Sequence, residues 1–391
     1  VFGLVVAEIG PRSGTAAGMW LVAAYIAATA ITALSFGIFG TTLLQEFGWS
    51  DAPQGLAILL AILALPVTMF LAGRTMRTLG HALLIMEGLT MAAIVIVCGI
   101  TLVKLVTTGG PQGQTVDWPA FRLDGVTGGA LALALTFALL SSAGFEGSAA
   151  AGEETRNPRR DIPRALIWTT AVTSAFFIGV TMVAVWAFGV APNELSQFVA
   201  SGSLPADIAN AYVGDGMGDF ITAGGAISSF ACMIGAQVAG GRILYAFARD
   251  GVATPRLARL SPQGTPVAGS LVVGLAAAVL VGFAVLVTSF QSFSAFELTS
   301  DLAGVVFIGA YGAACAAAAW VVWRSGTGRL WAVLPVAGIV VLVVVLCLQI
   351  FPLPSGWELI APALGVAVLV AGGVFGRLRG QRASAVFAAV E

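Results

Sequence analysis

The chain has 391 residues, 58% of them hydrophobic and 9% charged, with a mean hydropathy of +0.97 and a net charge of -1. That balance excludes an ordinary soluble domain and places the chain among polytopic membrane proteins. Basic residues scattered between apolar runs exclude a nucleic-acid-binding face, and with His81 and Lys104 as the lone histidine and lysine neither a His-based metal site nor an ATP-binding Gly-rich loop can be assembled.

Apolar runs near twenty residues fall at about 15–44, 55–73, 79–106, 126–151, 164–189, 219–248, 266–288, 295–323, 330–351 and 358–376. They predict ten membrane-spanning helices and an all-α polytopic membrane protein. The opening Val1 to Gly10 is too short to span, and the linkers are short apart from 107–125 and 190–218. Cys98, Cys232, Cys315 and Cys347 each sit alone in an apolar run and read as small core residues.

Basic residues set the orientation. With the start of the chain in the cytoplasm, 16 of the 18 arginines and lysines fall on the inner side, and only Lys104 and Arg122 on the outer side. This partition predicts both termini of this chain in the cytoplasm, and the expected location is the plasma membrane.

In chain order, Tyr25 is the first polar group at depth, and its hydroxyl wants a partner. Glu87 lies ten residues past Arg77, about 15 Å along a helix at roughly 1.5 Å per residue, near the middle of the hydrocarbon. A carboxyl at that depth favours its protonated form, which makes Glu87 the candidate for coupling to protons. His81 lies near the inner interface and reads as a snorkelling side chain.

The fourth run carries the main signal. From Leu135 it loosens into Ser141-Ser142-Ala143-Gly144, places Glu146 among apolar residues, and leads into the basic loop 153–164. Gly144 and Gly147 make departure from helix cheap, and a broken helix survives in a bilayer only where its freed backbone groups face a cavity or a ligand. The carbonyls of Leu140, Ser141, Ser142 and Ala143 suit an ammonium group, with Phe145 as a gate. Glu146 either contacts the substrate or caps a resuming helix at its first turn. Further on, Ser228, Ser229 and Gln237 read as helix-to-helix hydrogen bonding, Gly224-Gly225 and Gly240-Gly241 as close-packing positions, and Glu297 and Asp301 as hydrated acids near the outer face.

Two passages carry a resemblance. Gly144-Phe145-Glu146 followed by Gly152-Glu153-Glu154, Asn157-Pro158 and Ile162-Pro163-Arg164-Ala165 resembles the sixth helix and following loop of amino acid permeases of the amino acid-polyamine-organocation superfamily. Gly241-Arg242-Ile243-Leu244-Tyr245-Ala246, with Ala248-Arg249-Asp250-Gly251 and Pro255, resembles the end of that family's eighth helix.

The resemblance implies an inverted five-helix-repeat transporter fold in which the ten spans correspond to family helices 3 to 12, the first two being absent from this sequence. It divides the chain into the remainder of a first repeat (1–125), a complete second repeat (126–323) and two peripheral spans with a tail (324–391). It implies a secondary active transporter for an amino acid or related small amine, proton-coupled, without cofactor, metal or catalytic residues. Leu140 to Glu146 and Tyr25 are then the substrate-binding residues, and Glu87, at a position that in the family can carry lysine or glutamate, is the proton-coupling group. An exchanger, a sodium-coupled carrier and a non-transporting membrane sensor are the alternatives.

Overall fold

The computed structural model describes residues 2–49, 51–53, 55–73, 77–122, 125–147, 155, 157–191, 195–198, 201–261, 264–326, 329–351, 353 and 356–387. Among these, all regular structure is helical. A short α1 (Phe2–Glu8) precedes α2 (Pro11–Glu46), α3 (Leu56–Ala72), α4 (Arg77–Thr107), α5 (Gly128–Ser142) and α6 (Pro158–Phe188). There follow a short α7 (Leu204–Tyr212), then α8 (Asp215–Arg249), α9 (Val267–Val287), α10 (Ser292–Ser325), α11 (Val333–Ile350) and α12 (Ile360–Phe387). Nine segments of the described residues are long and apolar enough to cross a membrane, and α3, an apolar helix of 17 residues, fills the tenth predicted position.

The bundle is organised around α2, which packs against α8, α10, α12 and α3. One helix can serve so many neighbours because most of its buried positions are small, among them Gly14, Ala17, Gly18, Ala24, Ala27, Ala30, Ala33 and Gly37. Lipid tails are as apolar as leucine, so helices associate in a bilayer by close van der Waals approach, and small residues permit it. At Gly37 a side chain would run into the backbone of Ala57 on α3. Gly241 of α8 meets Gly269 and Ser270 of α9 in the same way, as its position in a glycine pair predicts. At 36 residues α2 is about 54 Å long at 1.5 Å per residue, so its ends project from a roughly 30 Å hydrocarbon core.

Peripheral helices show the opposite pattern. Leu84, Ile85, Val95, Ile96 and Val103 on α4, and Ile167, Trp168 and Ile178 on α6, are exposed and apolar, as surfaces meeting acyl chains require. Successive spans alternate in direction. Lys104 at the end of α4 therefore lies at the same end as α7 and the start of α8, and its ammonium donates to the Tyr212 carbonyl at 2.6 Å. We call this the arginine-poor end.

Candidate substrate site at the break after α5

Helix α5 stops at Ser142. Ala143 is extended (φ -74°, ψ 152°) and Gly144 has φ +104°, a conformation that costs any side-chain-bearing residue and suits glycine. Residues 145–147 then make one tight 3-10 turn, closed by the Gly147 amide on the Gly144 carbonyl at 3.0 Å. The last-turn carbonyls of α5 have no amide four residues ahead within the helix. That of Leu140 accepts from Ala143 N at 3.0 Å. Leu140, Ser142, Ala143 and Phe145 are half-buried, Ser141 and Gly144 exposed. The Ser141 hydroxyl turns back onto the Ala138 carbonyl at 3.0 Å, so its side chain serves its own helix.

Glu146 is the anchor of the break. Its carboxylate, 9% exposed, accepts three hydrogen bonds: from the Tyr25 hydroxyl on α2 (3.1 Å), the Tyr311 hydroxyl on α10 (2.8 Å) and the Gly144 amide (3.0 Å). The Gly144 bond matches the expectation that an acid beside a fresh turn collects free amides. A buried carboxylate needs such partners, and bonds to a charged acceptor are the stronger kind. The arrangement uses Glu146 purely as an acceptor.

Aromatic rings wall the other side. Phe145 stacks on Tyr311 with centroids 5.8 Å apart, Phe307 lies 5.3 Å from Tyr311, and Tyr25 meets Phe307 edge-on at 6.5 Å. Two packed helices thus reach across to the non-α-helical stretch that follows a third. Sequence reasoning named Tyr25, Phe145 and Glu146 but missed Tyr311 and Phe307. The available signal was Tyr311 itself, a phenol between Gly309 and Gly312 in an apolar helix, where a hydroxyl must find a partner.

The two deep carboxylates have separate neighbours. Glu87, half-buried on α4, lies within electrostatic reach of Cys232 on α8, whereas Glu146 is held by the tyrosines. Ser229 bonds the Gly225 carbonyl of its own helix at 2.8 Å, and Gln237 donates to Thr68 of α3 at 2.9 Å, so Gln237 acts as the expected helix-to-helix tie. Glu297 and Asp301 are half-buried at the arginine-poor end, with Glu358 close enough to act on both. Asp301 is thereby less open to water than a hydrated surface acid. Residues 148–154 and Arg156, among them Gly152, Glu153 and Glu154 quoted for the resemblance, lie outside the described residues.

The comparisons decide the family. The model of the family described as amino acid permease matches residues 6–372. The chain belongs to the amino acid permease family. The branched-chain amino acid permease BcaP of Lactococcus lactis is 25% identical over 289 residues, 70% of this chain and 59% of that protein. A methylthioribose transporter of Bacillus subtilis is 27% identical over 169 residues, 43% of this chain and 35% of the relative. The vacuolar cationic amino acid transporter 4 of Arabidopsis thaliana is 29% identical over 210 residues, 51% of this chain and 33% of the relative. The matches therefore span less than two thirds of each relative's length.

Among solved structures, a histidine-to-alanine variant of the manganese transporter of Eremococcus coleocola aligns with 98% of this chain and 88% of its own at 13% identity, with a TM-score of 0.52. At that identity the likeness establishes the shared transporter fold. The family is one of permeases and not of enzymes, and this member of it is an integral membrane protein.

Proposed function

We propose that the chain is a secondary active transporter for an amino acid or related small amine, working by alternating access around residues 143–147. The observation that carries this reading is the bonding of Glu146 to Tyr25 of α2 and Tyr311 of α10, across an interruption in α5. Unbroken helices supply fixed walls, and the interrupted one supplies backbone groups able to meet a ligand and a joint able to move. The carbonyls of Ser141 to Ala143 suit the substrate ammonium, and Phe145, stacked on Tyr311, suits a gate over it. Tyr25 and Glu146 set the shape of this site and complete the substrate-binding set of residues 140–146.

The names of two of the three relatives support an amino acid as cargo, while the third names methylthioribose. The arginine partition supports a cytoplasmic location for both ends of this chain, with the arginine-poor end facing out of the plasma membrane. We assign residues 1–125 to the remainder of a first repeat, 126–323 to a second and 324–391 to two peripheral spans and a tail. Glu87 is the proton carrier in this reading, because an ionisable residue within a membrane-spanning helix marks an ion pathway or proton relay by default.

The experiment is a screen of radiolabelled amino acids and amines in proteoliposomes, with imposed proton and sodium gradients. Accumulation driven by the proton gradient, and loss of its pH dependence in Glu87→Gln, is expected. Undiminished, still pH-dependent uptake by Glu87→Gln removes that residue from the mechanism. Accumulation that needs sodium, or a preloaded substrate inside the vesicle, converts the reading to a sodium-coupled carrier or an exchanger. Ligand binding without accumulation of any tested compound makes the chain a sensor.

A further inference from the structure

The arginine-poor end carries a second polar enclosure, distant in sequence from the break in α5. Helix α7 is amphipathic and lays Ile208, Ala209 and Tyr212 into an apolar cluster with α4 and α6. The Tyr212 hydroxyl donates to the Ala187 carbonyl of α6 at 3.1 Å, and burial pushes its phenol further up from its ordinary range, so it stays a donor. Lys104, bonded to the Tyr212 carbonyl at 2.6 Å, spends its ammonium on the backbone. Opposite, the segment after α4 closes a tight turn: Gly110 N bonds Gln114 O at 2.7 Å, and Gln112 N bonds the Gln114 side-chain oxygen at 2.9 Å.

Between these walls lies a cleft of about 240 Å³ lined by Gln112, Gln114, Phe188, Gln197, Asp207 and Tyr212. Its volume falls below the roughly 300–1,000 Å³ of drug-sized sites, so its occupant is a molecule of about amino-acid size. The lining offers one carboxylate, the aromatic rings of Phe188 and Tyr212, and three amide groups, of which the Gln114 oxygen already accepts from Gln112 N at 2.9 Å and the Gln197 oxygen from Gln112 Nε2 at 3.5 Å, each keeping a second lone pair. No lysine or arginine lines it among the described residues, and the sequence of 190–218 contains none. An anion would meet Asp207 in the lining itself, while the one nearby cation described, Lys104, sits behind the wall on the Tyr212 carbonyl.

The surroundings point the same way. Glu46 at the end of α2 lies within electrostatic reach of both Asp207 and Asp219. One of its oxygens accepts from Thr222 at 3.1 Å, while the other is buried with no hydrogen-bond partner among the described residues. A recess lined by one sign of charge focuses its field and concentrates counter-ions of the opposite sign.

We propose that this cleft is a binding site for the ammonium group of a small amine, with Asp207 as its counter-charge, the glutamine oxygens as its acceptors and Phe188 as a cation–π wall. It is a second site, separate from the one at the α5 break. It rests on the transport reading only for the side of the membrane to which it opens.

The test is isothermal titration calorimetry on the full chain in nanodiscs, with n-butylammonium as probe and butyrate as the matched anion. Butylammonium is expected to bind and butyrate to give no binding heat. Asp207→Asn should weaken butylammonium by about tenfold or more, and Asp207→Glu should hold it within about threefold, as for loss and retention of a charge-assisted bond. Glu146→Gln should leave this binding unchanged. Equal binding by Asp207→Asn, or equal binding of butyrate, overturns the proposal. If Asp207→Asn is not recovered monodisperse, Gln197→Leu tests the same wall, and unchanged affinity there overturns it. Binding that follows Glu146 instead of Asp207 defeats this inference and leaves the transport reading standing. Asp207-dependent binding without uptake of any substrate does the reverse.

Discussion

Two of the buried polar clusters among the described residues differ in the helices that hold them. Gln237 of α8, fully buried, donates to Thr68 of α3, which itself bonds the Leu65 carbonyl at 2.9 Å and meets Met233 of α8 at 3.2 Å. Both ends of that contact stand on continuous helix. Tyr25, Glu146 and Tyr311 join three elements, and one of them is a chain that has left helical geometry at Ala143 and Gly144. The first cluster can only fasten. In the transport reading proposed above the second can fasten or release, because a glycine at position 144 leaves other backbone conformations open at little cost.

The largest expected effect breaks the second cluster at its centre. Glu146→Gln replaces an acceptor of three hydrogen bonds by an amide, one end of which must face a donor. Charge-assisted bonds of about 1.5–3 kcal/mol become neutral ones of about 0.5–1.5, and summed over three bonds the loss is about 3 kcal/mol. Initial uptake of the substrate found by the screen should fall about a hundredfold, with the protein still monodisperse. Uptake within about twofold of the parent would show that the carboxylate does not govern the joint.

Next in size is Gly144→Ala. A Cβ at Gly144 meets nothing within 4 Å, so the change tests the backbone alone, at φ +104°. The strain is about 1–3 kcal/mol and should favour a regular continuation of α5. Uptake should drop by about tenfold with little change in melting temperature. A matched Gly→Ala change at Gly235 on the continuous α8, where a Cβ also meets nothing within 4 Å, should leave uptake unaltered. Equal effects at the two glycines would erase the distinction between the clusters.

Tyr311→Phe sharpens the comparison further. It keeps the ring against Phe145 and Phe307 and removes one donor from Glu146, at a cost of about 1 kcal/mol or somewhat more. A fall in uptake of about five- to tenfold is expected, smaller than for Glu146→Gln because two donors remain. A fall as large as that of Glu146→Gln would mean that the hydroxyl acts on the substrate and not through the carboxylate.

Much of this was legible in the sequence, and the reasons differ by element. Ten apolar runs predicted ten helices because the bilayer fixes both their length and their composition. The stop in α5 was legible because Ser-Ser-Ala-Gly before an intramembrane acid has few other physical uses. Tyr25 and Glu146 could be marked one at a time as polar groups at depth, but nothing in their spacing says that they meet, since they lie 121 positions apart. Tyr311 was passed over for the same reason, its partnership being a product of how α2 and α10 cross. The cleft over α7 was also out of reach, because it is assembled from three segments whose residues, taken singly, look like ordinary polar surface.

The smallest expected effect belongs to the first cluster. Gln237→Leu removes the bond to Thr68, and it also removes a side-chain oxygen that is buried without a hydrogen-bond partner among the described residues. Interhelical hydrogen bonds in bilayers average about 0.6 kcal/mol, and an orphaned buried acceptor costs about as much or more, so the two changes nearly cancel. The leucine must fit beside Gly274, whose Cβ position lies 3.5 Å from the glutamine side chain. Melting temperature in detergent should move by a few degrees at most, in either direction, and uptake should stay within about twofold. A large loss of uptake at unchanged melting temperature would mean that the α3–α8 contact also rearranges during transport. The continuous helices would then be moving parts, and the break in α5 would be only one of two joints.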